Sequence, residues 1–121
     1  MDQNPKIRAV ETYIQALCDH DLNAIKSLYT VDARVEDPAG TDPKIGIDAI
    51  LRFYEEGFSS GLKAKLTGPV RVAANYAVFP FLVELQDHGM EIDVIDQFTF
   101  DENGKVTAMT AFWGSENTRF G

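Results

Sequence analysis

Apolar positions in the first half of the chain recur with the period of an α-helix. Asn4-Pro5 predicts a helix start, because a proline in the first turn sacrifices no helical hydrogen bond. Asp21 is placed to cap a second helix, and a third is predicted to begin near Ile47. The predicted apolar faces comprise Ile7, Val10, Tyr13, Ile14 and Leu17, then Leu22, Ile25, Leu28 and Tyr29, and finally Ile47, Ile50, Leu51, Tyr54 and Phe58.

The second half changes to the period of two that is typical of strands. Predicted strands cover residues 63–66, 70–72, 76–85, 90–100 and 105 to about 113. Pro80 predicts an edge or a bulge in its strand, and Asn103-Gly104 predicts a hairpin. Helices followed by antiparallel strands predict an α+β fold, with three N-terminal helices packed on a curved, mainly antiparallel sheet. Such an arrangement leaves a conical pocket between the two layers, suited to a small molecule.

Length and composition indicate one globular domain covering residues 1–121, with 45% hydrophobic and 25% charged side chains. The 11 basic and 19 acidic residues give a net charge of −8, so nucleic acid and anionic membranes are not expected partners. With a single cysteine and two histidines far apart, we expect no disulfide, no metal and no cofactor. The polar N-terminus lacks a signal sequence, which predicts a soluble, cytoplasmic protein.

The segment from Met90 to Phe100 contains a polar residue out of pattern. Alternation places five apolar residues on one face with Asp96 among them, whereas Asp93 falls on the solvent face. Burial disfavours a charged carboxyl, so Asp96 is predicted to have a raised pKa and to be protonated near neutral pH. Such an acid could donate a hydrogen bond to a developing oxyanion. The pattern alone favours the alternatives, which are a bulge that turns Asp96 outward or an ordinary buried acid bonded to the backbone.

A second acid, Asp37, ends a short alternating segment. Alternation directs Ala33, Val35 and Asp37 inward, and Pro38 then forces the chain to turn. A carboxylate at the inner end of a strand can stay ionised and act as a general base. An Asp-Pro turn without further function fits the pattern equally well, and the sequence does not decide whether this peptide bond is cis.

Three tyrosines, Tyr13, Tyr29 and Tyr54, each lie on the apolar face of a different predicted helix. Helical pattern alone favours core aromatics whose hydroxyls are satisfied. If they face one pocket, the three hydroxyls could instead form a chain of hydrogen bonds that strengthens the donor at its end.

Taken together, these residues resemble the bacterial steroid Δ5-3-ketosteroid isomerases, within the wider nuclear-transport-factor-like (cystatin-like) α+β superfamily. The resemblance covers nearly the whole chain. It is carried by Tyr13, Asp21-Leu22, the run Asp32-Ala33-Arg34-Val35-Glu36-Asp37-Pro38-Ala39-Gly40, Phe53-Tyr54, Leu66 to Arg71, Phe79-Pro80-Phe81, Asp93 to Phe98 and Ala111-Phe112-Trp113.

By this resemblance, Asp37 is the general base that moves a proton between ring positions 4 and 6 of a steroid. Tyr13 and protonated Asp96 bind the dienolate oxygen at position 3, as in that family, and Tyr29 and Tyr54 support them. The residues that would line the substrate pocket are Phe53, Phe79, Phe81, Met109 and Trp113. The resemblance implies a small apolar steroid substrate, no cofactor and a homodimer. The sheet's outer face, with Ile95, Ala111 and Trp113, is a candidate surface for the second copy.

Other interpretations remain at this point. Residues 57–61 match the letters of the G-x-S-x-G nucleophile motif, but this segment leaves a helix and enters a strand, the reverse of what that motif requires. A polyketide cyclase, dehydratase or epoxide hydrolase-like enzyme of the same superfamily would be expected to place a histidine or an Asp-Arg-Asp arrangement in the pocket. A noncatalytic protein that holds a hydrophobic ligand is the alternative from another functional class.

Overall fold

Polar side chains cap the first two helices, and the third begins at Ile47 after Gly46. In the computed structural model, which describes residues 4–121, α1 spans Pro5–Asp19, α2 spans Leu22–Leu28 and α3 spans Ile47–Phe58. The Asn4 side chain accepts a hydrogen bond from the Lys6 amide at 2.8 Å, and Asp21 accepts one from the Ala24 amide at 3.0 Å. Each side chain thus satisfies an amide that the first helical turn leaves without a partner. The predicted helix starts are confirmed.

Within residues 4–121, eight strands form one open, mixed sheet against which the helices pack. They are β1 (Tyr29–Glu36), β2 (Lys44–Ile45), β3 (Leu62–Leu66), β4 (Arg71–Ala73), β5 (Tyr76–Leu85), β6 (Met90–Phe100), β7 (Val106–Phe112) and β8 (Thr118–Phe120). The order is β2-β1-β7-β6-β5-β3, with β4 also pairing with β5 and β8 with β6. The β1–β7 pair is parallel and the others are antiparallel. This confirms the expected α+β class.

Pro80 lies in a strand that is interior to the sheet. The prediction of an edge or a bulge is therefore wrong for the strand as a whole, since β5 pairs with β6 continuously from Tyr76 to Leu85. On its other side β5 pairs with β4 only as far as Val78 and with β3 only from Phe81 onward. Pro80 falls in the break between these partners, where its carbonyl accepts a hydrogen bond from the Thr67 amide at 3.1 Å. The missing N–H of proline consequently costs no ladder bond.

Two further sequence-based predictions, on Tyr29 and on the outer face of the sheet, differ from the structure. Tyr29 does not lie on a helix but is the first residue of β1, because α2 ends at Leu28. Ala111 and Trp113 do not lie on the outer face: Ala111 is fully buried, and Trp113 turns toward the helices. Ile95 is 45% exposed on the outer face as predicted, and its neighbour there across the ladder is Phe112, which is 48% exposed.

The hydrophobic core fills the space between the helices and the inner face of the sheet. Alternating residues of β6 are buried from Ile92 to Phe100, and Asp96 is 1% exposed among them. The inner face is closed by α1 and α3, whose buried residues include Val10, Leu17, Ile50 and Phe58. None of the described helices is both long and apolar enough to cross a membrane.

Candidate active site

A cavity of about 310 Å³ opens between the helices and the inner face of the sheet. It is lined by Tyr13, Leu17, Asp37, Phe53, Tyr54, Glu56, Gly57, Leu62, Phe81, Val83, Leu85, Ile92, Val94 and Trp113. Most of this surface is apolar. The lining side chains that carry polar atoms are those of Tyr13, Asp37, Tyr54, Glu56 and Trp113, so the cavity suits an apolar molecule with few polar groups.

Asp96 occupies the middle of β6, where the inner face is otherwise apolar. Its side chain lies beneath the cavity surface rather than on it, and neither carboxyl oxygen has a hydrogen-bond partner among residues 4–121. Burial raises the pKa of Asp96 well above its usual range, and the charge of Asp37 raises it further, whereas the nearby Tyr13 hydroxyl opposes the shift. The arrangement favours a protonated carboxyl with an unused donor.

Asp37 stands where the chain turns out of β1. The Asp37-Pro38 peptide is cis, and the Ala39 amide then donates to the Ala111 carbonyl at 2.7 Å. This contact and the parallel β1–β7 pairing hold the turn beside β7, which also pairs Ala111 with Asp96. Two carboxyl groups from distant parts of the sequence are thereby brought to the two sides of β7, since Asp37 follows β1 and Asp96 lies in β6.

The Asp37 carboxyl is half-buried and has one direct side-chain donor. The Trp113 indole Nε1 donates to Asp37 Oδ1 at 2.7 Å. Burial raises the pKa of Asp37, while the Trp113 hydrogen bond and the positive charge of Lys44 lower it. Compared with Asp96, this acid has both a hydrogen bond and a cation to stabilise its ionised form.

The three tyrosine hydroxyls form one chain of hydrogen bonds. The Tyr13 and Tyr54 oxygens are 3.0 Å apart, and the Tyr54 and Tyr29 oxygens are 2.7 Å apart. Burial raises the pKa of all three well above the usual value, so the hydroxyls remain protonated at neutral pH. An aromatic contact helps to hold Tyr13 in place, since its ring packs edge-on against Phe98 with ring centroids 5.0 Å apart.

The structure distributes the predicted lining residues between the cavity and the core. Phe53, Phe81 and Trp113 line the cavity, whereas Phe79 and Met109 are buried, at 0% and 1% exposure, and do not appear on its wall. Phe79 instead supports Tyr13 from behind, with ring centroids 6.0 Å apart.

Sequence reasoning missed two contributions to this site. The first is the hydrogen bond from Trp113 to Asp37, which the alternation of Met109, Ala111 and Trp113 on one face could have indicated. The second is Lys44, whose ammonium lies 5.0 Å from the centroid of the Phe53 ring. It stands in a strand of only two residues, too short for a period to be read from the sequence.

The arrangement places the half-buried Asp37 carboxyl, the Tyr13 hydroxyl and the buried Asp96 carboxyl, whose pKa is raised, beside an apolar cavity. A base near a donor pair can remove a proton alpha to a carbonyl while the donors stabilise the oxygen that gains charge. Among the described residues no group of three or more His, Cys, Asp or Glu side chains comes together to hold a metal ion.

Comparison with known proteins finds sequences and a solved structure that are similar to this chain. The SnoaL-like domain family matches residues 10–109. Steroid Delta-isomerase of Nocardioides simplex is 37% identical over 107 residues, which cover 87% of this chain and 86% of that protein. The solved structure of SalBIII, an epoxide hydrolase/cyclase-like enzyme with a role in pyran ring formation in the polyether salinomycin, has a TM-score of 0.87 at 21% identity. It covers 96% of this chain and 95% of its own, and this likeness shows the fold.

Proposed function

Because this chain belongs to the SnoaL-like domain family, and a curated steroid Delta-isomerase is similar to it over most of both lengths, we propose that it is a steroid Δ5-3-ketosteroid isomerase. The reaction moves a carbon–carbon double bond from the 5,6 to the 4,5 position of a 3-ketosteroid. It proceeds by proton transfer within the substrate and uses no cofactor.

The proposed base is Asp37. Its carboxylate removes a proton from position 4, and the electrons of that C–H bond form a double bond between positions 3 and 4 while the carbonyl oxygen becomes an oxyanion. In the second step the electrons of the 5,6 double bond take the same proton from Asp37 at position 6, the 3,4 double bond moves to positions 4 and 5, and the oxyanion becomes the ketone again. A half-buried carboxyl with a raised pKa suits both steps, because it must accept and release one proton near the working pH.

The proposed oxyanion donors are Tyr13 and Asp96. Tyr13 lines the cavity, and Asp96 lies behind its surface with a carboxyl that no described residue satisfies. A carbonyl oxygen that enters between them would meet two protonated donors. Such hydrogen bonds accelerate the reaction because they strengthen as negative charge develops. Tyr54 and Tyr29 extend the chain behind Tyr13, so charge on the oxyanion is spread over three hydroxyls.

The cavity wall supports an apolar substrate of steroid length. Ile92 and Val94 of β6 line the cavity, and the extended strand from Ile92 to Asp96, which lies behind the surface, covers about 14 Å, a length that accommodates four fused rings. Leu17, Leu62 and Val83 continue the apolar lining. The exposed Ile95–Phe112 pair on the outer face of the sheet supports a homodimer as part of this proposal.

The unsatisfied, fully buried Asp96 carboxyl is the observation that carries the proposal. A buried polar group without a partner costs stability, by about 1–3 kcal/mol in protein mutational data. An oxygen of the transition state would supply the missing acceptor, which explains why a fold tolerates an acid in its core.

The test is ultraviolet absorbance during incubation with 5-androstene-3,17-dione, in which the conjugated product gives a new band. We expect turnover by the wild type, its loss in Asp37→Asn and its retention in Asp32→Asn. Asp32 is a matched control because it is an exposed aspartate in β1, the strand that leads to Asp37.

The outcomes separate the alternatives. Tight binding of a steroid phenol without turnover would indicate a noncatalytic ligand-binding protein. Neither binding nor turnover would exclude steroids and direct the search to cyclase, dehydratase or epoxide-opening chemistry.

A further inference from the structure

Lys44 brings a positive charge to the inner face of the sheet. In the antiparallel β1–β2 pair Lys44 stands directly opposite Val35, so the two side chains share a face. Val35 is fully buried on the inner face, and Lys44 is half-buried there at the sheet edge. By contrast Arg34, next to Val35, points to solvent and pairs with Glu36 at 3.2 Å.

An aromatic ring holds the ammonium in place. Lys44 Nζ lies 5.0 Å from the centroid of Phe53, which is itself part of the cavity wall. A cation over an aromatic face is attracted by the electron density of the ring, which restricts an otherwise flexible side chain. Lys44 is therefore anchored at the edge of the cavity.

We propose that Lys44 is a positioning residue for Asp37: its ammonium, seated on Phe53, is the countercharge that keeps the carboxylate ionised and ready to accept a proton. This inference rests on the proposed function, since it assigns Lys44 to the base of that reaction. The positive charge of Lys44 also lowers the pKa of Asp37, against the rise that burial causes.

The electrostatic surroundings of Asp37 make this countercharge necessary. The other ionisable groups that line the cavity with Asp37 or interact electrostatically with it are Tyr13 of α1, Tyr54 and Glu56 of α3, Tyr29 of β1, Asp96 of β6 and Lys44 of β2, whereas Arg34 and Glu36 of β1 pair with each other. The tyrosines and Asp96 are neutral when protonated, and Glu56 is acidic. Lys44 is the member of this set that carries positive charge.

The test titrates the Asp37 carboxyl by carbon-13 NMR in ligand-free protein, with the signal assigned by its loss in Asp37→Asn. The variants are Lys44→Met, Lys44→Arg and the matched control Arg34→Met, which removes a cation from the neighbouring ladder position on the opposite face. Lys44→Gln replaces Lys44→Met if the added apolar side chain impairs folding.

We expect Lys44→Met to move the Asp37 titration to higher pH, while Lys44→Arg and Arg34→Met titrate as wild type. In turnover assays the acid limb of kcat/KM shifts in the same direction. The loss is therefore severalfold at pH values below the wild-type midpoint, and activity recovers at higher pH.

An unchanged Asp37 titration in Lys44→Met overturns the inference, as does an equal shift in Arg34→Met, which would show only the effect of bulk charge. Because the NMR measurement needs no substrate, the role of Lys44 and the isomerase function can be refuted independently of each other. A protein that turns over no steroid can still show the shift, and an active isomerase can lack it.

Discussion

Replacing Asp96 should trade activity for stability in a manner that depends on pH. The native Asp96 carboxyl has a strongly raised pKa, whereas an unfolded aspartate titrates near its ordinary value of about 3.9. Above that value the unfolded chain releases a proton that the native protein retains, so wild-type stability falls as pH rises toward the native pKa. Asp96→Asn keeps the shape of the side chain but does not titrate, so the stability of this variant does not fall with rising pH in this way.

The slope of this effect follows from proton linkage alone. One proton released on unfolding changes the free energy of unfolding by about 1.4 kcal/mol per pH unit. The stability of the wild type relative to Asp96→Asn should therefore fall with this slope as pH rises from the ordinary aspartate value toward the raised native pKa. Asp96→Leu removes the carboxyl group and with it the O–H that would donate to the oxyanion. It should lower kcat by about 10²–10³-fold, the usual effect of losing one oxyanion donor.

The assay is urea unfolding of the wild type, Asp96→Asn and Asp96→Leu at each pH, with turnover measured on the same samples. Asp93→Asn is the matched control, because Asp93 lies on the exposed face of the same strand. Its pKa is lowered by the hydrogen bond from Arg119, a contact of 2.6 Å. A pH-independent stability difference between wild type and Asp96→Asn would refute the claim that the native carboxyl is protonated.

Three smaller changes test other contacts. Tyr54→Phe removes both hydrogen bonds of the central hydroxyl, and we expect kcat to fall about 5–10-fold, as for about 1 kcal/mol of lost hydrogen bonding, with KM little changed. Trp113→Phe removes the donor to Asp37, so the pKa of that acid should rise and the acid limb of kcat/KM should move to higher pH. Asp21→Ala removes the cap of α2 and should cost about 1 kcal/mol in urea unfolding without altering turnover.

For each of these three variants, one result would contradict the prediction. Wild-type kcat in Tyr54→Phe would show that the hydroxyl chain does not reach the reacting oxygen. An unmoved acid limb in Trp113→Phe would separate the indole contact from the ionisation of Asp37. A loss of turnover in Asp21→Ala that exceeds its loss of stability would place α2 in the catalytic machinery, contrary to the geometry.

Local signals predicted most of the fold. Helix starts at Asn4 and Asp21 depend on contacts within three residues, and the alternation of β6 reports directly which face is buried. The same alternation pointed to Asp96. Tyr29 was placed wrongly because Leu22, Ile25, Leu28 and Tyr29 fit a helical face. The chain leaves the helix at Leu28, where pairing of Tyr29 with Val106 of β7 takes over.

The remaining parts of the site depend on contacts between distant residues. The hydrogen bond from Trp113 to Asp37 joins residues 76 positions apart, so local alternation can place Trp113 on the inner face but does not specify its partner. The β2 strand exists because Lys44 and Ile45 pair with β1, and this pairing places the Lys44 ammonium over Phe53. Propensity and periodicity act over a few residues, so they predict elements better than they predict which side chains meet.

The two carboxyl groups of the site should also respond to each other. The negative charge of Asp37 is one cause of the raised pKa of Asp96, second to burial. Replacing Asp37 by Asn removes that charge, so the pKa of Asp96 should fall yet stay above its ordinary value, because burial is unchanged. Carbon-13 NMR of the Asp96 carboxyl in Asp37→Asn measures this directly, with Asp32→Asn as the control that leaves the site charge intact. An Asp96 titration that does not move would mean that the two acids do not share an electrostatic environment, and the proposed roles of Asp37 as ionised base and Asp96 as neutral donor would then need another cause. A fall to the ordinary aspartate value would instead show that charge repulsion, rather than burial in β6, keeps Asp96 protonated.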